Sequence, residues 1–304
     1  MVKEYALTTI QQPPARHLAS AEHWVEHGSV SLFVWEKYLD HFENKPVVIL
    51  AHGSASAGRE SFDLQVPAKP SYSLMDYLAQ QGFHVFSLDV RGFGRSTRPP
   101  GHITTVEAST DLHAVVDYVL ALRNIRQVHL LAWSWGTQYA GLFVMRHSEK
   151  VARYICYAQM HADSPDLKIR REKLEIYRAN PYIRIPESGW KPRFYSMTPE
   201  CVNDVEVIDT FAHAATAAES ETPMGPQLDL LTLMPMLDAR EIKVPVMVIH
   251  GEYDDVADLA GLLPFFRDLP NGDKRYVVLP EGGHMLHLQK GHLRFQSAVS
   301  AFLK

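Results

Sequence analysis

Cysteine is scarce in this sequence. Cys156 and Cys201 are the only two in 304 residues, too few for a disulfide framework. Long apolar runs are missing as well, none approaching the roughly 20 residues that span a bilayer as a helix. The opening stretch Met1-Val2-Lys3-Glu4-Tyr5 lacks the apolar core of a signal peptide, so a reducing cytoplasm is the expected setting. Charge bias is weak: the net charge of −5 gives no whole-protein reason to expect nucleic acid or an anionic membrane as a partner. Internal repeats and low-complexity tracts are also absent. What remains, 46% hydrophobic and 21% charged, is the composition of an ordinary globular protein with enough chain for a large core.

Against that plain background one stretch stands out. Val128-His129-Leu130-Leu131-Ala132 is short, apolar and β-prone, as a buried strand should be, and apolar residues resume at helical spacing from Thr137 to Arg146. Between them lies Trp133-Ser134-Trp135-Gly136. A serine wedged between strand and helix sits on a sharp turn where two backbones approach closely, and such a turn needs small residues on either side. Ala132 and Gly136 supply them. Ser134 is therefore the candidate nucleophile.

The rest of the chain alternates around this turn. After a loosely held lead-in to about residue 20, interrupted by Pro13-Pro14, Trp24-Val25 and Val30 to Trp35 flank Gly28-Ser29 as a hairpin. Val47 to Leu50 and Val85 to Leu88 are continuously apolar, the pattern of strands buried on both faces. Helices are expected over residues 72–81 and 105–122, further strands over 151–158 and 244–249, then a helix near 258–267, a strand over 276–279 and a terminal helix over 289–303. Strand and helix in alternation imply an α/β fold: a mostly parallel sheet with helices on both faces. Residues 1–160 and 239–304 form its expected core. The gap between, 161–238, holds helix-like segments (167–179, 199–218, 228–237) broken at Asn180-Pro181, Ile185-Pro186 and Thr222-Pro223. A helical cap is the better reading of so long a gap, and Thr198-Pro199-Glu200 has the order that starts a helix.

A base and an orienting acid should lie at strand ends on the same side of the sheet as Ser134, because open α/β sheets gather reacting groups at the carboxyl ends of strands. Gly251-Glu252-Tyr253-Asp254-Asp255 places acids just past one strand, and Gly282-Gly283-His284 places a histidine just past the next. The order Ser134, acid, His284 is that of the α/β type of serine hydrolase and differs from the chymotrypsin and subtilisin orders.

These motifs carry a resemblance. The chain is similar to α/β-hydrolases over nearly its whole length outside the cap: the His52-Gly53 turn, Asp89-x-Arg91-Gly92-x-Gly94-x-Ser96, the elbow with Ala132 in place of the first glycine of G-x-S-x-G, Gly251-x-x-Asp254, and Gly283-His284. The resemblance implies Asp254, ahead of Asp255 and of Asp163, as the acid. The N–H of Trp135, the residue after the nucleophile, is one expected oxyanion donor, and the resemblance implies the N–H of Ser54 as the other; His52, Trp133 and Trp190 are candidate substrate-pocket residues. No cofactor or metal is called for. His287 and His292 read as structural, Asp89 to Ser96 as a turn bordering the site, and both cysteines as small apolar fillers.

Substrate choice falls to the cap. Between Lys168 and Arg193 eight basic residues face three acids; a solvated helix face explains them most simply, and guidance of an anionic substrate is the sharper alternative. Tyr177, Tyr182, Trp190, Phe194, Tyr195 and Phe211 are candidates to wall an apolar acyl or aryl pocket. The expected activity is cleavage of a small-molecule carboxylic ester, with lactones and thioesters close in chemistry and homo-oligomerisation left open. An aminopeptidase similar to proline iminopeptidases is the rival enzyme, since Ser134-Trp135-Gly136-Thr137 resembles their elbow. A hydrolase-fold binding protein with little turnover is the rival from another class.

Overall fold

The computed structural model describes residues 17–40, 45–195 and 198–304; Pro13-Pro14 and Met1 to Tyr5 lie outside them. Eight strands form one sheet in the order β1-β2-β4-β3-β5-β6-β9-β10: β1 (Leu18–His27), β2 (Val30–Leu39), β3 (Val47–Ala51), β4 (His84–Leu88), β5 (Val128–Trp133), β6 (Val151–Tyr157), β9 (Val246–Gly251) and β10 (Lys274–Leu279). The two remaining strands, β7 (Tyr182–Ile183) and β8 (Thr222–Pro223), pair only with each other. From β4 to β10 every pairing is parallel, and β1 and β2 add an antiparallel edge.

Burial follows from position in the sheet. Every residue of the central strands β3, β4 and β9 is buried, because helices cover both faces. Edge strand β1 alternates exposed and half-buried residues over most of its length, and that alternation hid Leu18 to His23 from a search for apolar runs. Gly28, at φ +62°, turns the hairpin.

Helices flank the sheet: α1 (Gly58–Phe62), α2 (Leu74–Gln80), α3 (Thr105–Arg123), α4 (Gly136–Arg146), α10 (Leu259–Asp268) and α11 (His292–Leu303). Local chemistry marks their ends. Thr104 and Glu107 form a reciprocal capping box at the start of α3, and Asn124 closes that helix in the left-handed region. No helix among the described residues is long and apolar enough to cross a membrane.

Strands β6 and β9 are sheet neighbours although 88 residues of chain separate Tyr157 from Val246, so everything between them leaves the sheet. That excursion carries α5 (Pro165–Arg171), α6 (Leu174–Ala179), α7 (Glu187–Trp190), α8 (Val205–Ala218) and α9 (Gly225–Thr232). Its helices are shorter than the sequence pattern predicts. The 167–179 helix is two, parted at Glu172-Lys173. Thr198-Pro199-Glu200 opens only a 3₁₀ turn, Glu200–Val202, and α8 starts afresh where the Asp204 side chain accepts from the Glu206 N–H. The 228–237 helix ends at Thr232, ahead of Pro235.

Candidate active site

Ser134 sits between the end of β5 and the start of α4 with φ +57°. A non-glycine residue there costs of order 1–3 kcal/mol, and the surroundings hold it: its N–H donates to the Tyr157 carbonyl at 2.9 Å, and the Thr137 N–H and hydroxyl both donate to its own carbonyl. Gly136 is indispensable to this packing. A Cβ there would lie 2.5 Å from the Ala51 carbonyl oxygen and 2.8 Å from that of His52, both backbone atoms of the neighbouring strand end. Ala132, by contrast, fits fully buried on β5.

Two further turns converge on the same edge. After β9 the chain turns through Glu252 and Tyr253, whose N–H groups donate to Leu279 and Gly282 carbonyls of the turn after β10. Gly251 permits that approach, since a Cβ on it would stand 2.3 Å from the Gly282 oxygen. The side chains of these turns meet at Ser134. His284 Nε2 lies 2.9 Å from Ser134 Oγ, and His284 Nδ1 lies 3.0 and 3.1 Å from the two oxygens of Asp254. Asp254 is buried and also accepts from the Val256 and Ala257 N–H groups. Burial pushes its carboxyl up, but the rings of His284 and His250 outweigh burial and hold it well below the usual carboxylate range. It is therefore ionised at neutral pH. Asp163 lies elsewhere, paired with Arg171 at 2.8 Å.

His284 is steadied from behind. Its carbonyl accepts from Trp133 Nε1 and from the Tyr157 hydroxyl, each at 3.0 Å. Sequence reasoning missed Tyr157, which reads only as the last residue of a buried strand. His287 packs against that same tyrosine, 3.0 Å from its oxygen, and His292 stacks on Tyr72.

The turn after β3 holds His52, Gly53 and Ser54. His52 differs from its expected place beside the substrate: it is fully buried and does not line the cavity. Its Nδ1 donates to the Gly53 carbonyl at 2.7 Å and its Nε2 accepts from the Val90 N–H at 3.1 Å, a pattern that needs the neutral ring. Burial lowers it to about 4, in keeping with that form. The ring thus ties this turn to the one after β4. There Asp89 accepts from Gly58 and Arg95 N–H groups, and Arg91 grips Asp111, so the polar atoms of Asp89 to Ser96 are engaged within the protein. Cys201 is exposed, against expectation; Cys156 is buried. Among the described residues no amide or side chain accepts a hydrogen bond from the N–H of Ser54 or of Trp135. The Trp135 ring itself is anchored through Nε1 to Thr105.

Above Ser134 and His284 opens a cavity of about 600 Å³. Trp133, Trp190, Tyr177 and Phe211 line it. Of the other aromatic candidates, Phe194 packs behind Phe211, the Tyr182 hydroxyl is engaged by the Pro99 carbonyl, and Tyr195 faces solvent. Gln227, on α9, is a second residue that no sequence signal marks. It accepts from Arg170 at 3.0 Å and donates to the Ser54 hydroxyl at 2.9 Å, joining the 161–238 segment to the turn beside Ser134. Among the described residues no group of three or more His, Cys, Asp or Glu side chains is placed to hold a metal.

Comparison with known proteins agrees with this architecture. A family model described as "Serine aminopeptidase, S33" matches residues 43–291. The AB hydrolase superfamily protein YisY of Bacillus subtilis is 23% identical over 69% of this chain and 78% of its own length. Human protein ABHD12B is 35% identical over 98 residues, 32% of this chain, and the match spans only 24% of that protein. Among solved structures, a thermophilic esterase from Thermogutta terrifontis superposes with a TM-score of 0.69 at 21% identity, covering 93% of this chain and 98% of that one; at that identity the likeness is one of fold. With the family model spanning 43–291, the chain belongs to the α/β-hydrolases, in the family described as serine aminopeptidase, S33.

Proposed function

We propose that this hydrolase cleaves a carboxylic ester of a small apolar or aryl substrate through an acyl-enzyme on Ser134. The observation that carries the reading is the continuous hydrogen-bonded line from Ser134 Oγ through His284 to ionised Asp254 at the floor of a largely apolar cavity. A serine hydroxyl becomes a useful nucleophile when a positioned base takes its proton. His284 Nε2 is at the right distance to do so and then to protonate the leaving alcohol. Asp254 fixes the tautomer with the proton on Nδ1 and stabilises the imidazolium. Attack on the ester carbonyl creates an oxyanion, and the unspent N–H groups of Ser54 and Trp135 would receive it. Water, activated by the same histidine, then releases the acid and restores Ser134. In this reading residues 161–238 act as the cap that shapes the acyl pocket.

The family description favours an aminopeptidase as the second reading. The charged residues lining the cavity weigh against it: Arg170, Lys173 and Arg193 stand against Asp166, which Arg170 already engages, whereas a free amine calls for unspent acids. A fluorophosphonate probe tests the nucleophile. Labelling of the wild type and none of Ser134→Ala is expected; absence of labelling in folded wild type would sink the claim. A panel of p-nitrophenyl esters, lactones and proline amides then separates the two chemistries, and turnover of the amides ahead of the esters would reverse the choice.

A further inference from the structure

Among the described residues, Arg193 in the cavity wall forms no ion pair with a carboxylate. Arg193 belongs to the 3₁₀ turn Lys191–Phe194 and lines the cavity. Its Nε is closed off from solvent without a hydrogen-bond partner, and no carboxylate among the described residues pairs with its guanidinium. Four other cations of the same segment are paired. Arg170 is paired with Asp166, Arg171 with Asp163, Arg178 with Glu175 and Lys191 with Asp209. Lys173 is exposed at the cavity wall. Arg193 is half-buried, and of its charged neighbours Arg170 opposes its charge more strongly than Asp166, which Arg170 already engages, favours it. Burial and then Arg170 lower it to about 10, so it remains charged at neutral pH. The guanidinium carbon lies 5.1 Å from the centroid of Trp190, whose own Nε1 is buried without an acceptor.

A cation half-withdrawn from water without an ion pair is costly. Here it stands on an open cavity, so the missing anion can come from the occupant. A guanidinium presents a planar fork that matches a carboxylate, and a tryptophan face beneath it holds that fork in one orientation.

We infer that Arg193 is a substrate-binding residue that receives a carboxylate, and that the site takes esters whose apolar chain ends in that group, such as half-esters of dicarboxylic acids. Apolar residues of the same cavity, Ile185, Phe211 and Met224 among them, suit the methylene chain. This assignment rests on the reading of Ser134 as the nucleophile for chemistry, though not for binding.

The test therefore has a kinetic and a binding arm. The first compares mono-p-nitrophenyl glutarate with p-nitrophenyl butyrate on wild type, Arg193→Gln and Arg193→Lys. The ratio of kcat/KM, anionic over neutral, is expected to fall roughly 10- to 100-fold in Arg193→Gln, the range for a charge-assisted hydrogen bond, with Arg193→Lys in between. An unchanged ratio overturns the proposal, because a merely structural role would slow both esters alike. In the second arm glutarate is titrated calorimetrically into Ser134→Ala, with and without Arg193→Gln. Binding that depends on Arg193 supports the anion site even when neither ester turns over, in which case the hydrolase reading fails alone. Equal binding by both proteins sinks the anion site even when both esters are cleaved.

Discussion

At the carboxyl edge of the sheet, Ser134, Asp254 and His284 stand on three turns that are fastened to one another by backbone contacts. Across the cavity, Arg170, Trp190, Arg193 and Gln227 come from α5, α7, a 3₁₀ turn and α9, and side-chain contacts hold them. The first arrangement fixes these side chains to within hydrogen-bond distance because their turns are tied to one another by backbone hydrogen bonds and close backbone packing. The second is assembled from short elements that can exchange side chains without disturbing the sheet. On the proposed reading, reaction type resides on one side of the cavity and selectivity on the other.

The largest effect that would break this comparison concerns the acid. Asp254→Asn is expected to lower kcat by ~10⁴-fold, through loss of the tautomer that presents Nε2 to Ser134. Asp255→Asn, on a residue whose carboxylate is not part of the Ser134–His284 line, should cost far less under the same assay. A larger loss at Asp255 would move the acid to the other side chain.

Next in size is the close approach beneath the elbow. Gly136→Ala is expected to destabilise the fold by about 1–3 kcal/mol, the usual cost of overpacking, because the added methyl meets two backbone oxygens that cannot swing aside. Urea denaturation measures it. Wild-type stability together with a wild-type rate would show that the turn is held by something other than that contact.

The smallest effect lies at the seam of the two regions, where Glu60 and Asp89 of the sheet side meet Glu219 at the end of α8. Burial, reinforced by Asp89, raises Glu60 to about 7; burial likewise raises Asp89 and Glu219 to about 7. A carboxyl whose folded pKa exceeds its unfolded value binds more protons when folded, so its stabilising effect is complete below pH 4 and is lost as pH rises through 7. Glu60→Gln should accordingly raise stability at pH 8, by about 1 kcal/mol at most for a group partly open to solvent, seen as a higher Tm at pH 8 and an unchanged one at pH 4. An equal gain at both pH values would mean that charge is not the cause.

Much of the sheet was legible in advance for a physical reason. Val47 to Leu50 and Val85 to Leu88 are buried on both faces, so apolar runs and strands coincide. The edge strand β1 was legible only at Trp24-Val25, because a half-exposed strand dilutes its apolar residues with polar ones. In the site, Ser134 and His284 were marked by small residues beside them, whereas His52 was misplaced: adjacency to Gly53 and Ser54 says nothing about the direction its ring takes. The helix breaks in 161–238 followed from packing and from Asp204 as a cap, and no periodicity announces those.

The sequence by itself determined the class of fold and the turns that carry Ser134, Asp254 and His284, since both depend on local matters: runs of apolar residues, and glycines where backbones must pass close together. Only the tertiary structure decided that His284 addresses Asp254, that Tyr157 and Trp133 hold the histidine from behind, and that one arginine of a basic run of eight faces the cavity unpaired. Those facts depend on side chains far apart in the chain, and the distance between such groups is set by how the helices settle on the sheet.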